Sequence, residues 1–226
     1  MRRVVMLKER FRDIVRIMKI STNVLRIRLA AISLTLSGIF FVLYPAIRPF
    51  SDESSLQGAV AFASFSWVLA HSLAMVAFVL LALGLLVLYI RLQETTVENR
   101  AIQALVLSWI GIGLTLPYYG AETFGLHAIG QEAIKEKNRP YFPHKFGPFG
   151  RGGCVLHTRT PLAAGTILFA IAIWGSSSLP TWIGIPLAIG FALYIPQFFE
   201  LQSIRVAHGL LITIASILIA WSMGAC

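Results

Sequence analysis

Long apolar runs with almost no charged residues constrain this chain more than any other feature of its sequence. From Gly58 to Leu88 the only ionisable side chain is His71. The whole chain is 57% hydrophobic and 13% charged, whereas soluble domains average about 25% charged residues. A helix needs ~20 apolar residues to cross a bilayer. The 226 residues therefore predict one all-α, polytopic transmembrane helix bundle of about six spans.

Six apolar segments are predicted to cross the membrane, joined by short connections. They are about 29–47, 71–92 within a longer run that starts at 58, 101–121, 162–174, 179–199 and 204–223. The fourth segment is shorter than a bilayer requires unless it borrows flanking residues. Residues 27–226 are accordingly predicted to form a single transmembrane domain.

Basic residues are concentrated before the first apolar run, where nine of the 19 Lys and Arg precede residue 29. Apolar residues in this segment recur at three- and four-residue steps, which places them on one helix face. They are Val4, Leu7, Phe11, Ile14 and Met18. Residues 1–26 are therefore predicted to form a basic amphipathic helix on the membrane surface.

The position of the basic segment also indicates its partner and the orientation of the chain. It lies directly before an apolar span, which favours an anionic lipid surface over nucleic acid as its partner. The positive-inside rule places the N-terminus in the cytoplasm. We expect a multi-pass protein of a prokaryotic plasma membrane.

Residues 130–160 are predicted to form an irregular connection between the third and fourth spans. From residue 140 onward this stretch has three prolines, four glycines and no acidic residue, a composition typical of loops. Two interpretations stay open: a flexible loop, or a local change of reading frame that replaced the start of a span. Cys154 and His157 have zinc-like spacing, but no metal site is assigned. Cys154 and Cys226 define no disulfide framework.

Polar side chains near the ends of four spans are expected to meet at one depth. They are His71, Tyr119, Glu122, His127, Gln197, Glu200, Arg205 and His208. Ionisable groups at membrane depth are costly and usually face the bundle interior or a water-filled cavity. These residues are therefore candidates for ligand binding or for a proton relay. Glu200 and Arg205 are expected to form a salt bridge across the short connection between the last two predicted spans.

Each candidate also has a structural interpretation. Glu122 and Glu200 could mark the points where helices leave the lipid, and Tyr119 could belong to an interfacial aromatic belt. Arg205 could extend its charge to the membrane surface. His71 could be a buried histidine that is hydrogen-bonded to a main-chain carbonyl.

No sequence motif names an activity. The chain has no nucleotide-binding glycine loop, no zinc-protease helix and no serine-hydrolase motif. The polar positions favour small-molecule or ion binding, or transport, through a polar pocket near the outer membrane face. The alternatives are a membrane-embedded enzyme acting on a lipid or isoprenoid head group, a structural or assembly protein, and a haem protein with His71 and His208 as axial ligands. The cofactor, catalytic residues and protein partners are left unassigned.

Overall fold

The computed structural model describes residues 2–53, 55–93, 95–135 and 154–225, and of residues 2–23, 154–159 and 225 it describes the main chain only. The regular elements in these ranges are all helical, and no strand occurs among them. The all-α prediction is confirmed for the described part of the chain.

Eight α-helices make up most of the described structure. They are α1 Arg2–Ile47, α2 Leu56–Phe62, α3 Phe65–Leu92, α4 Glu98–Gly120, α5 Leu126–Lys135, α6 Cys154–Gly175, α7 Ile185–Ala192 and α8 Gln202–Ala225. A π-helical turn, Ala121–Gly125, joins α4 to α5. Two 3-10 turns, Thr181–Gly184 and Pro196–Phe199, flank α7.

Four stretches of the described helices are long and apolar enough to cross a membrane. They are Val24–Ile47, Phe65–Leu92, Glu98–Lys135 and Gln202–Gly224. Two further apolar helices, Thr160–Gly175 and Thr181–Ala192, are shorter, and they lie where the fourth and fifth spans are predicted. The four long helices fit a membrane protein, and the count of six spans stays a prediction.

The N-terminal segment does not form a helix separate from the first span. α1 runs without interruption from Arg2 to Ile47, over 46 residues or about 69 Å of helix. The predicted boundary between residues 26 and 27 is therefore not marked by a change in the main chain. A position of residues 1–26 on the membrane surface stays a prediction.

The predicted span at 179–199 is not one continuous helix. α7 ends at Ala192, and a second short helical turn begins at Pro196. Pro186 lies in the first turn of α7, where its missing N–H costs nothing. Pro196 has no N–H to donate to the preceding turn, so the regular hydrogen-bond pattern cannot pass through it.

The predicted irregular connection at 130–160 is helical at both ends. α5 continues to Lys135, and α6 begins at Cys154, so the prediction was wrong for those residues. The stretch between them lies outside the described residues. The same holds for the side chains of Cys154 and His157 and for Cys226.

The six apolar helices of the described chain form a closed ring. Neighbours follow in the order α1, α3, α4, α6, α7 and α8, and α8 packs against α1. Large apolar side chains fill the interior, among them Leu34, Phe41, Phe78, Leu85 and Phe169. The outer faces are also apolar, with Val79, Leu83, Ile171 and Ile214 exposed. Soluble proteins rarely expose contiguous apolar surface of this kind, whereas lipid-facing helices require it.

Helices α1 and α8 approach each other closely at Gly38. A Cβ atom at this position would lie 2.7 Å from the Cα atom of Thr213. The Thr213 hydroxyl donates a hydrogen bond of 2.7 Å to the Gly38 carbonyl oxygen. Association of helices in lipid relies on such close contacts and interhelical hydrogen bonds, because the lipid offers little hydrophobic driving force.

Gly38→Ala is expected to lower the free energy of unfolding by about 1–3 kcal/mol, because an added methyl group must push the two main chains apart. Gly113→Ala is the matched control, since a Cβ atom there meets nothing within 4 Å. Thermal unfolding of the purified protein in detergent measures both variants. Equal midpoints for the two would contradict the close approach of α1 and α8.

Candidate functional site

Polar side chains gather at the end of the ring where α1 ends and α3 begins. Chain connectivity brings α1, α4 and α7 toward this end, and α3 and α8 start from it. The start of α1 lies at the opposite end. We call the polar end the site end.

His71 on α3 is deeply buried at the site end, with 1% of its side chain exposed. Its Nδ1 lies 2.8 Å from the carbonyl oxygen of Trp67, so this nitrogen carries the proton and donates. In a neutral imidazole the other nitrogen, Nε2, is then an acceptor. Nε2 lies 3.8 Å from Oε2 of Glu122 and has no hydrogen-bond partner among the described residues.

Glu122 lies in the π-helical turn between α4 and α5, and 22% of its side chain is exposed. A π-helical turn disturbs the regular pairing of main-chain groups, and such turns occur frequently at functional sites. The indole N–H of Trp67 donates to the Glu122 carbonyl oxygen at 2.7 Å. The hydroxyl of Thr123 donates to the Tyr119 carbonyl oxygen at 2.6 Å. Side chains therefore satisfy the main chain where the helix is irregular.

Trp67 lies in the first turn of α3, where the helix cap fixes its main chain. The Ser64 side chain caps this helix and accepts a hydrogen bond of 3.2 Å from the Trp67 N–H. The Trp67 side chain is fully buried, and its ring lies 4.2 Å from the ring of His71, centroid to centroid. Trp67 thus contacts His71 through its carbonyl and its ring, and Glu122 through its indole N–H.

Arg48 follows the end of α1 and places a positive charge beside this group. Its guanidinium carbon lies 4.6 Å from the centroid of the Trp67 ring, and it forms an ion pair with Glu53. Burial alone would lower the pKa of the Arg48 guanidinium, but the Tyr44 hydroxyl and the Glu53 carboxylate raise that pKa above its usual value. Arg48 is therefore charged.

Three buried tyrosines extend the site across the bundle. The ring of Tyr44 lies 5.2 Å from that of His71 and 5.5 Å from that of Tyr119. The hydroxyl oxygens of Tyr119 and Tyr194 are 2.7 Å apart and share a hydrogen bond. The Tyr194 ring lies 5.6 Å from that of His208. Ring contacts and the hydrogen bond between Tyr119 and Tyr194 therefore connect the two histidines across five segments of the chain.

Phenylalanines close the apolar side of this network. The ring of Phe41 packs edge-on against Phe78 at 5.0 Å and against Phe191 at 5.7 Å. All three side chains are at most 3% exposed. They separate the polar groups from the opposite end of the ring.

Four of the other candidates donate to main-chain carbonyl oxygens. His127 Nδ1 lies 2.9 Å from the carbonyl oxygen of Phe62, and Gln197 Nε2 lies 3.3 Å from that of Tyr194. His208 Nε2 lies 2.7 Å from the carbonyl oxygen of Gly190, and a terminal nitrogen of Arg205 lies 2.6 Å from that of Phe198. These carbonyls lie at or near helix ends or irregular turns. The four side chains therefore provide hydrogen-bond donors to main-chain carbonyl oxygens in this structure.

The expected salt bridge between Glu200 and Arg205 does not form. Arg205 donates through Nε to the main-chain carbonyl oxygen of Glu200 at 3.0 Å, and its guanidinium lies over the ring of Phe50 at 5.1 Å. The carbonyls of the turn before α8 need donors, and the guanidinium provides them. The Glu200 side chain is exposed.

Sequence reasoning brought His71, Tyr119 and Glu122 to one depth and missed Tyr44, Arg48, Trp67 and Tyr194. Trp67 carried a usable signal, because it precedes His71 by four residues and so shares its helix face. Arg48 carried a weaker one as a lone cation directly after an apolar run. Tyr44 and Tyr194 sit inside apolar segments, where nothing separates them from ordinary core residues.

A metal site with three protein ligands is not assembled from the described residues. They contain no group of three His, Cys, Asp or Glu side chains that could hold a metal ion. His71 and His208 each direct one ring nitrogen at a main-chain carbonyl. The one nitrogen of His71 that remains, Nε2, is directed at Glu122.

No protein-family model, no curated protein and no solved structure matches the chain. The geometry of the site therefore carries the functional proposal by itself.

Trp67→Phe is expected to cost about 1–3 kcal/mol of unfolding free energy, because the Glu122 carbonyl loses its buried donor. Trp109→Phe is the control: its indole N–H donates to the Ala82 carbonyl at 3.2 Å, but Ala82 lies in mid-helix and keeps its helical partner. That control should cost under ~1 kcal/mol. Thermal unfolding in detergent measures the difference, and a larger loss for Trp109→Phe would contradict this role of Trp67.

Proposed function

We propose that this protein is a membrane protein that binds a proton at the His71–Glu122 pair and uses this in binding or transporting a small solute or ion. The observation that carries the proposal is the buried Nε2 atom of His71, which faces the Glu122 carboxylate at 3.8 Å and has no hydrogen-bond partner among the described residues. A buried acceptor without a donor costs about 1–3 kcal/mol. Protonation of Nε2 turns that acceptor into a donor directed at a carboxylate.

The local chemistry favours a single bound proton. A charge-assisted hydrogen bond between imidazolium and carboxylate is short, about 2.7–2.9 Å between heavy atoms. Proton uptake by His71 would therefore draw Glu122 closer by about 1 Å. Because Glu122 lies in the π-helical turn, the movement would act on the main chain that joins α4 to α5.

Charged groups of both signs lie near the pair. Arg48 forms an ion pair with Glu53, and the Glu122 carboxylate faces Nε2 of His71. A proton on His71 would therefore have Glu122 as its counter-charge. The titratable groups that face His71 are Tyr44 and Arg48 from the end of α1, and Tyr119 and Glu122 from α4 and the π-helical turn.

The ring and the charge pattern of the sequence support a topology of six passes with a cytoplasmic N-terminus. Six apolar helices that close a ring support six passes through the bilayer. The nine basic residues before residue 29 support a cytoplasmic N-terminus by the positive-inside rule. The site end would then face the outside of the cell, and we propose a prokaryotic plasma membrane as its location.

Exposed phenylalanines favour a second candidate, an enzyme acting on a lipid or isoprenoid head group. Phe65, Phe124 and Phe199 are each more than 60% exposed at the site end, which suits side chains at the lipid boundary. Phe124 is two residues from Glu122. A head group could approach the carboxylate at this depth. Turnover of lipid vesicles that is lost in Glu122→Gln would favour this candidate.

His71→Gln is expected to abolish the uptake of about one proton per chain as the pH is lowered from neutral, because the glutamine cannot be protonated. Glu122→Gln should move this uptake to lower pH, because the imidazolium loses its counter-charge. A pH-indicator dye added to weakly buffered, detergent-purified protein measures the uptake in each variant.

The matched control for this titration is Glu132→Gln. Glu132 is exposed and pairs with Lys135 at 2.7 Å, so its removal should leave the His71 uptake in place. Equal uptake by the wild type and His71→Gln would show that the buried histidine does not titrate, and the proposal would be wrong.

A further inference from the structure

Helices α2 and α5 lie outside the ring and pack against each other at the site end. Their contact is tight at Gly130, where a Cβ atom would lie 2.7 Å from the Ala59 carbonyl oxygen and 2.8 Å from the Ala63 nitrogen. His127 adds a polar connection, since its Nδ1 donates to the Phe62 carbonyl oxygen at 2.9 Å. We call this helix pair the cap.

The cap is connected to both groups of the proposed proton site. From α2, the ring of Phe62 packs against that of Trp67 at 4.6 Å, and Trp67 in turn covers His71 at 4.2 Å. α5 continues directly from the π-helical turn that carries Glu122. A separation of α5 from α2 would therefore act on the cover of His71 and on the position of Glu122 together.

Exposure differs sharply between the two groups. Glu122 is 22% exposed, whereas His71 is 1% exposed, and Phe62 and Trp67 are at most 3% exposed. In this conformation the carboxylate has access to the surroundings and the imidazole is closed off. Access to His71 from the site end requires the aromatic cover to move.

We infer that the cap is a gate, which parts at Gly130 to admit water or a small ligand to His71. The role of this gate rests on the proposed function, in which His71 is the proton-binding group. The absence of a side chain at Gly130 lets the gate close, and the His127–Phe62 hydrogen bond holds it closed. Local openings of this kind are governed by a few contacts and are readily shifted by substitution.

The gate is tested by the labelling rate of a thiol at position 71. In a His71→Cys variant that lacks the native cysteines, a water-soluble thiol reagent measures how often the site opens. Adding Gly130→Leu should raise the labelling rate about tenfold, because the larger side chain holds the cap apart. Ala128→Leu, on the exposed face of the same helix, is the control and should leave the rate unchanged.

A second variant keeps the test decisive if Gly130→Leu does not fold. His127→Ala removes the hydrogen bond to Phe62 without adding bulk, and it should also speed labelling. A thiol introduced at Ala77, which is fully buried in the middle of α3, must stay unlabelled, or the change is a loss of the whole fold.

The outcomes separate the gate from the proton site. Equal labelling rates in the Gly130→Leu, His127→Ala and Ala128→Leu variants would overturn the gate, whatever the titration shows. Faster labelling in the first two, together with no His71-dependent proton uptake in the wild type, would leave the gate standing and remove the proposed function.

Discussion

Every main-chain carbonyl group inside a bilayer must find a hydrogen-bond donor, because the lipid offers none. An uninterrupted helix is the simplest way to satisfy this requirement. At the site end, regular α-helix is interrupted at the π-helical turn and again after Ala192. Side chains donate to carbonyls at these places: Trp67 to that of Glu122, and His208 to that of Gly190. The demands of the main chain therefore explain much of the polarity that collects at this end.

The same constraint separates His71 from the other candidates. His127, His208 and Arg205 direct donors at main-chain carbonyls, and a structural purpose accounts for each of them. His71 also donates to a carbonyl, but its second nitrogen is buried and directed at a carboxylate. The pairing of main-chain carbonyls with donors does not require that second nitrogen to face a carboxylate. It is therefore the feature of the site that most needs a function.

The sequence predicted the features that depend on apolar length, and missed those that depend on contacts between helices. The long run around His71 predicted α3, and the shared depth of His71 and Glu122 followed from counting residues along their helices. Pro196 was a local signal for the break after Ala192, but the apolar run over 179–199 favoured one continuous span. The π-helical turn had none. Arg205 was assigned to the Glu200 carboxylate because sequence spacing cannot show which carbonyls lack a donor.

The pairing of α1 with α8 has a consequence for the order in which the bundle forms. The hydrogen bond from Thr213 to Gly38 joins residues 175 positions apart, and the intervening helices are synthesised between them. Gly38 and its neighbours on α1 must therefore face lipid, or another chain, until α8 arrives. The contact between α1 and α8 therefore forms last and closes the ring.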